Sequence, residues 1–140
     1  MFLLDTNVVS ESTRAEPAAA VVRWLQSQPR SRLSVVSAME LEYGVERASG
    51  KKRERLMRWL ELTLGSDAIE LIPVDLAIAR STGRMRRAAE QRGKPVALAD
   101  LVIAATAQVT GSILATRNMR DFEGLGVPLF NPFDALPRVS

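Results

Sequence analysis

Residues 97–116 read ALADLVIAATAQVTGSILAT. The first fourteen are apolar on nearly every helical face, which predicts a helix from Ala97 to Thr110. Gly111 supplies a stop, and the run Ser112 to Thr116 then reads as a buried strand. Inside the apolar helix stands Asp100, the only charge between Lys94 and Arg117. A carboxylate in the first turn gains from the helix dipole, but the apolar surroundings (Leu98, Leu101, Val102, Ile103) predict burial. Plain capping is then a weak explanation, so Asp100 points to function.

Working outward, the same helix-and-strand grammar repeats. Phe2 to Leu4 is a short apolar strand, followed by a brief helix over Val8 to Thr13. Pro17 fits the first position of a helix running through Gln28. Leu33 to Val36 is strand-like, and Ser37-Ala-Met-Glu40 has the capping-box pattern of a helix start. Lys52 to Leu64 is a basic amphipathic helix, Ile69 to Val74 a strand and Leu76 to Gln91 a helix ended by Gly93. Val127 to Phe130 makes a short last strand. Strands alternating with helices predict an α/β fold with a central, mostly parallel sheet and helices on both faces. No linker or repeat divides the 140 residues, which read as one domain, 1–140.

Sites in such folds lie at the carboxyl ends of the strands. Asp5 follows the first strand immediately, Glu40 comes soon after the second, and Asp121 lies beyond the last long one. Converging acids repel one another and raise each other's pKa. A hard divalent cation removes that conflict, and an oxygen-only ligand set suits Mg²⁺ or Mn²⁺. The chain has no His and no Cys, so histidine bases, Ser-His-Asp catalysis and thiolate metal sites are excluded.

Each acid also has a purely structural reading. Asp5 can cap the short helix behind it. Thr6 and Asn7 are either turn residues or supports for Asp5. Glu40 can reach back to the Ser37 amide, and from local sequence alone this cap is preferred. Glu42 points about 200° away from Glu40 on the same helix. In ATRNMRDF, Asp121 outranks Asn118 as the fourth acidic position because it carries charge, although the Asn118 amide oxygen competes for it. Thr116 can position a water or a phosphate oxygen, and Arg117 can shield the acids.

Net charge is +3, from 19 Lys and Arg against 16 Asp and Glu. The basic residues concentrate in Arg47 to Arg58 and in Arg80 to Lys94, which suits a polyanion as well as a solvated helix face. The N-terminal MFLLDTN has no basic segment before its short apolar run. No apolar stretch approaches the roughly 20 residues of a membrane span. The expectation is a cytoplasmic protein with no membrane association.

The ordered set LDTNVVSE, Glu40-Leu-Glu-Tyr-Gly44, Ala99-Asp100 running into IAATA, LATRNMRDF and a closing FNP resembles the PIN-domain ribonucleases. More closely, it is similar to the VapC/FitB-type toxins of bacterial toxin–antitoxin pairs. The resemblance spans essentially the whole chain. It implies a PIN-like three-layer α/β/α sandwich. It also implies that Asp5, Glu40 and Asp100 hold Mg²⁺ or Mn²⁺, which overrides the cap reading of Glu40. Asp121 or Asn118 then completes the acidic site, and Thr6 and Thr116 match hydroxyl residues that line it. The implied activity is endoribonucleolytic cleavage of structured RNA of the tRNA or rRNA class. The implied partners are a VapB/FitA-like antitoxin whose tail covers the acids, and a second copy of the chain. The assembly would be a homodimer or a hetero-octamer with antitoxin.

Two other readings compete with a nuclease. A catalytically idle module would bind nucleic acid or a partner through the basic helices. A phospho-acceptor domain with Asp5 as acceptor is weaker, because Asp5 has no acidic neighbour in its turn and the late strand leads into Arg117 rather than Lys.

Overall fold

The computed structural model describes residues 1–134; the last six residues of the expected domain lie outside it. Its sheet has five strands, β1 (Phe2–Leu4), β2 (Ser31–Ser34), β3 (Ile69–Ile72), β4 (Ile113–Ala115) and β5 (Leu129–Phe130). They stand in the order β3-β2-β1-β4-β5. Every pairing is parallel, so the sheet is parallel throughout. The helices are α1 (Thr6–Ser10), α2 (Ala19–Ser27), α3 (Val35–Arg47), α4 (Gly50–Leu64), α5 (Leu76–Gln91), α6 (Leu98–Thr110) and α7 (Met119–Phe122). A 3₁₀ turn over Glu11–Thr13 follows α1.

Side-chain alternation along the strands divides the core in two. Leu3 and Leu114 face α5, α6 and α7, where they pack with Ile78, Met85, Leu101, Ala104 and Phe122. Leu4, Leu33 and Ala115 face the opposite way, toward Val8 and Val9 of α1, Val21 of α2, Leu41 of α3 and Leu60 of α4. The result is the expected three-layer α/β/α sandwich. Parallel strands buried on both faces need near-continuous apolar sequence, which FLL and ILA supply.

The chain winds outward from β1 in both directions, to β2 and β3 on one side and to β4 and β5 on the other. The order therefore reverses between β1 and β4. Their carboxyl ends flank the crevice where open α/β sheets bind ligands.

Several local expectations are corrected. The first helix begins at Thr6 rather than Val8 because the Asp5 carboxylate accepts from the Thr6 amide at 2.8 Å. Pro17 precedes α2 instead of opening it; the Ala18 amide donates to the buried Glu11 carboxylate at 2.8 Å, fixing that start from elsewhere in the chain. The second strand is Ser31–Ser34, and Val35 and Val36 form the first turn of α3. Its cap is Ser34, whose hydroxyl accepts from the Val36 amide at 3.0 Å. Ser37 is buried inside the helix with no hydrogen-bond partner, so the capping box does not form. The third strand ends at Ile72, and the short α7 carrying Asp121 is an additional element. α6 ends as expected at Gly111, whose φ of 66° favours glycine. Its burial begins at Leu101, whereas Leu98 is 60% exposed. No described helix is long and apolar enough to cross a membrane.

Candidate active site

At the β1–β4 reversal the Asp5 amide donates to the Ala115 carbonyl at 2.9 Å. Asp5 is buried, and its two carboxylate oxygens are separately engaged. One accepts from the Thr6 amide at 2.8 Å and the other from the Thr116 hydroxyl at 2.7 Å. The helix-cap and site readings of Asp5 are thus two uses of one side chain. Thr116 is fully buried and also accepts the Asn118 amide at 2.9 Å.

Across the crevice, α3 presents Glu40. Its Oε1 accepts the Thr6 hydroxyl at 2.7 Å. That bond spans 34 residues of sequence and replaces the expected contact to Ser37. Glu42, on the same helix, is exposed. Asp100 enters from the first turn of α6 and is half-buried rather than enclosed. Asp5, Thr6, Asn7, Ser10, Glu40, Asp100 and Asn118 line one cavity of about 300 Å³. Asp100 also walls a neighbouring hollow of about 180 Å³, shared with Asp121 and Lys94. Asn118 and Asp121 therefore approach Asp100 from two different hollows.

The electrostatics couple all four acids. Burial, together with the charges of Asp5, Asp121 and Glu40, pushes the Asp100 carboxyl up to about 6. Burial also raises Asp5; the bonds from Thr116 and Thr6 oppose that rise, and the charges of Glu40 and Asp121 add to it. Among the described residues no Lys or Arg forms an ion pair with any of the four. Arg117 does not shield them, because its guanidinium lies 4.7 Å over the Phe133 ring. Asn7 accepts a long contact from the Arg117 amide at 3.4 Å. The acids face one another without closing: among the described residues no three carboxylates are grouped closely enough to hold an ion as they stand. Like charges with no counter-charge hold apart, and two of the four are tied back by threonine hydroxyls.

Two features were not anticipated from sequence. Ser10 lines the acid cavity, placed there by the turn of α1 that follows Asp5. Lys94 fastens the loop before α6 to α7, its ammonium donating to the Arg120 carbonyl at 2.5 Å. Arg92 likewise donates to the Gly124 carbonyl. Both come from a segment that reads only as basic, and their targets are backbone carbonyls that no side-chain motif marks.

Removing the Thr116 hydroxyl tests the support of Asp5. Thr116→Val leaves one Asp5 oxygen and the Asn118 amide without their partner, at a cost of about 1–3 kcal/mol in denaturant unfolding. Thr116→Ser should restore most of it. Equal loss in both variants would mean that methyl packing, not the hydroxyl, holds this position.

An all-parallel sheet with carboxylates gathered at its order reversal defines the class. The chain belongs to the PIN-domain family, whose model matches residues 2–126. Within it, the chain is similar to the VapC and FitB proteins. It is 37% identical over 138 residues to "VapC ribonuclease Y4jK" of Sinorhizobium fredii, covering 96% of this chain and 99% of the relative. It is 39% identical over 137 residues to "Toxin FitB" of Neisseria gonorrhoeae, covering 95% and 99%. The FitAcB crystal structure from Neisseria gonorrhoeae superposes with a TM-score of 0.86 at 38% identity, covering 96% of this chain and all of that one.

Proposed function

We propose that this chain is a metal-dependent endoribonuclease and the toxin of a toxin–antitoxin pair, acting in the cytoplasm as a single domain over residues 1–140. The carrying observation is that Asp100 shares one cavity with Asp5 and Glu40 and an adjoining hollow with Asp121, with its own carboxyl raised to about 6 and no ion pair to any of the four among the described residues. Such a concentration of negative charge, anchored on the buried Asp5, suits a hard divalent cation bound through oxygen. The names of the relatives, a ribonuclease and a toxin, support the activity.

Asp5, Glu40 and Asp100 would hold Mg²⁺ or Mn²⁺, with Asp121 as the fourth carboxylate from the adjoining hollow. When bound, the ion supplies Lewis-acid activation of water and neutralises charge developing on the phosphate. The chain's own residues set the geometry. Thr6 and Thr116 fix the carboxylates of Glu40 and Asp5, and Asn118 offers a neutral amide at the cavity wall. With no histidine in the chain, there is no imidazole to activate a ribose 2′-hydroxyl. Hydrolysis by water leaves a 5′-phosphate and a 3′-hydroxyl.

The substrate class we propose is structured RNA of the tRNA or rRNA type, following the family resemblance. The partner is a VapB/FitA-like antitoxin that covers the acids, with a homodimer or a hetero-octamer as the assembly. Exposed apolar side chains on the Glu40 helix, Met39 at 59% and Tyr43 at 64%, support a surface that is covered in the complex.

Purified protein incubated with total RNA and Mg²⁺, Mn²⁺ or EDTA tests this reading. The expected result is discrete cuts with either metal, none in EDTA, and ligatable 5′-phosphate ends. Intact RNA under every metal, with RNA binding indifferent to EDTA, would hand the reading to the idle binding module.

A further inference from the structure

A second cavity, of about 800 Å³, lies between the 3₁₀ turn after α1 and the exposed face of α4. It is larger than the hollows around the acids, but none of its lining residues is acidic, so it is not where the hydrolytic chemistry resides. Its walls carry Ser12, Thr13, Arg14, Lys52, Arg55 and Trp59. Positions 52, 55 and 59 form one helical stripe, since three- and four-residue steps share a face. Lys52 and Arg55 are exposed and take part in no ion pair among the described residues. Arg14 has a contact with Glu11 at 3.6 Å and keeps 60% of its side chain exposed. Trp59 packs partly into the core while still lining the groove.

The groove and the acid cavity are lined from the same short stretch of chain. Ser10 lines the acid cavity and Ser12 lines this one. Two residues of chain span at most about 7 Å between Cα atoms, close to the separation of successive phosphates along a strand. A polyanion approaching four uncompensated carboxylates is repelled, so a cationic track beside them is what would hold it there. Exposed cations, two hydroxyls and an aromatic surface are the parts of a single-strand binding groove.

We infer that this groove is the RNA-docking track of the site, with Lys52 and Arg55 taking backbone phosphates and Trp59 offering a stacking surface to a base. The inference rests on the nuclease reading and adds the route by which substrate reaches it. It also separates the two basic segments: α4 faces the track, whereas α5 packs on the opposite face of the sheet.

The test measures binding of a fluorescein-labelled single-stranded RNA in EDTA by anisotropy across a salt series. The proteins are the wild type, Lys52→Glu/Arg55→Glu, and an α5 control, Arg80→Glu/Arg84→Glu. Circular dichroism checks the fold of each. The α4 reversal should weaken binding at least about 10-fold and lower the salt slope by about 1.4, at about 0.7 per lost phosphate contact on a single strand. The α5 control should stay within about 2-fold. Photo-crosslinking of 4-thiouridine RNA to wild-type protein should mark residues 52–59 and needs no variant to fold. The inference is overturned if the α4 reversal binds like wild type, if crosslinks fall on α5, or if the groove takes up a protein partner while RNA binding is unchanged. Loss of binding in the α4 reversal without metal-dependent cleavage by wild type would sink hydrolysis but keep the track. Intact cleavage with unaltered binding in the reversal would do the opposite.

Discussion

Asp100→Asn should lower metal-dependent RNA cleavage by about 10³-fold, the several kcal/mol that a metal-centred charge arrangement contributes at about 1.4 kcal/mol per tenfold. The substitution keeps the side chain's shape and removes its charge. Asp100 is the acid that borders both hollows, so its loss affects the Asp5–Glu40 side and the Asp121 side together. The fold should persist, because α6 is anchored by Leu101, Ile103, Ala104, Ala105 and Ala107 and not by this residue. Glu42→Gln is the matched control: an exposed acid two residues from Glu40 on the same helix, whose change should leave the rate within about 2-fold. Initial rates on one mapped RNA site, with circular dichroism of each protein, decide the matter. Activity within about tenfold of wild type in Asp100→Asn would remove this residue from the reaction and with it the acid-centred mechanism.

Asp5 and Asp100 were legible in the sequence because both stand where charge is expensive. Asp100 interrupts an apolar helix, where plain capping explains it poorly, and Asp5 ends an apolar strand while also reading as a helix cap, a role it does fill. Glu40 was legible only by resemblance. Its hydroxyl partner Thr6 lies 34 residues away, and a contact of that range leaves no mark in local sequence. The local pattern favoured the wrong partner, since Ser37 and Glu40 have capping-box spacing. Ser34 took the cap instead, and the β-branched Val35 and Val36 stand in the first turn of the helix against their propensity.

Fold class followed from the alternation of strands and helices, and the bounds read for α5 and α6 matched to within a residue. Boundaries failed where a side chain from elsewhere decides them. Glu11 sets the start of α2, and the helix after β1 begins as soon as Asp5 can accept from Thr6. The strand order and the β1–β4 reversal are long-range facts as well. Alternation predicts a parallel sheet, but nothing in FLL or ILA says that these two strands lie side by side.

The same cluster should make stability depend on pH and metal in linked ways. The Asp100 carboxyl is raised from 3.8 to about 6 in the folded protein, so between those pH values the folded state binds more protons than the unfolded one. Stability contributed by this group is therefore lost as pH rises from about 4 through about 6. Asp5 is shifted in the same direction and adds to the loss. Other carboxylates titrate too, so the clean quantity is the difference in Tm between Asp100→Asn and wild type, both in EDTA. That difference should grow in the variant's favour from pH 4 to pH 7 and then level off. Mg²⁺ or Mn²⁺ at pH 7 should reverse it, since an ion held by these acids would bind the folded wild type and neutralise the repulsion. At a hundredfold excess over Kd the gain is about 2.7 kcal/mol, or about 8 °C in Tm for a domain of this size, with little gain in Asp100→Asn. A pH-independent difference in EDTA would show that Asp100 is not under charge strain. An equal metal gain in both proteins would place the ion elsewhere. Repulsion without metal and stabilisation with it are two consequences of one arrangement, so this pair of scans tests the site without relying on any RNA substrate.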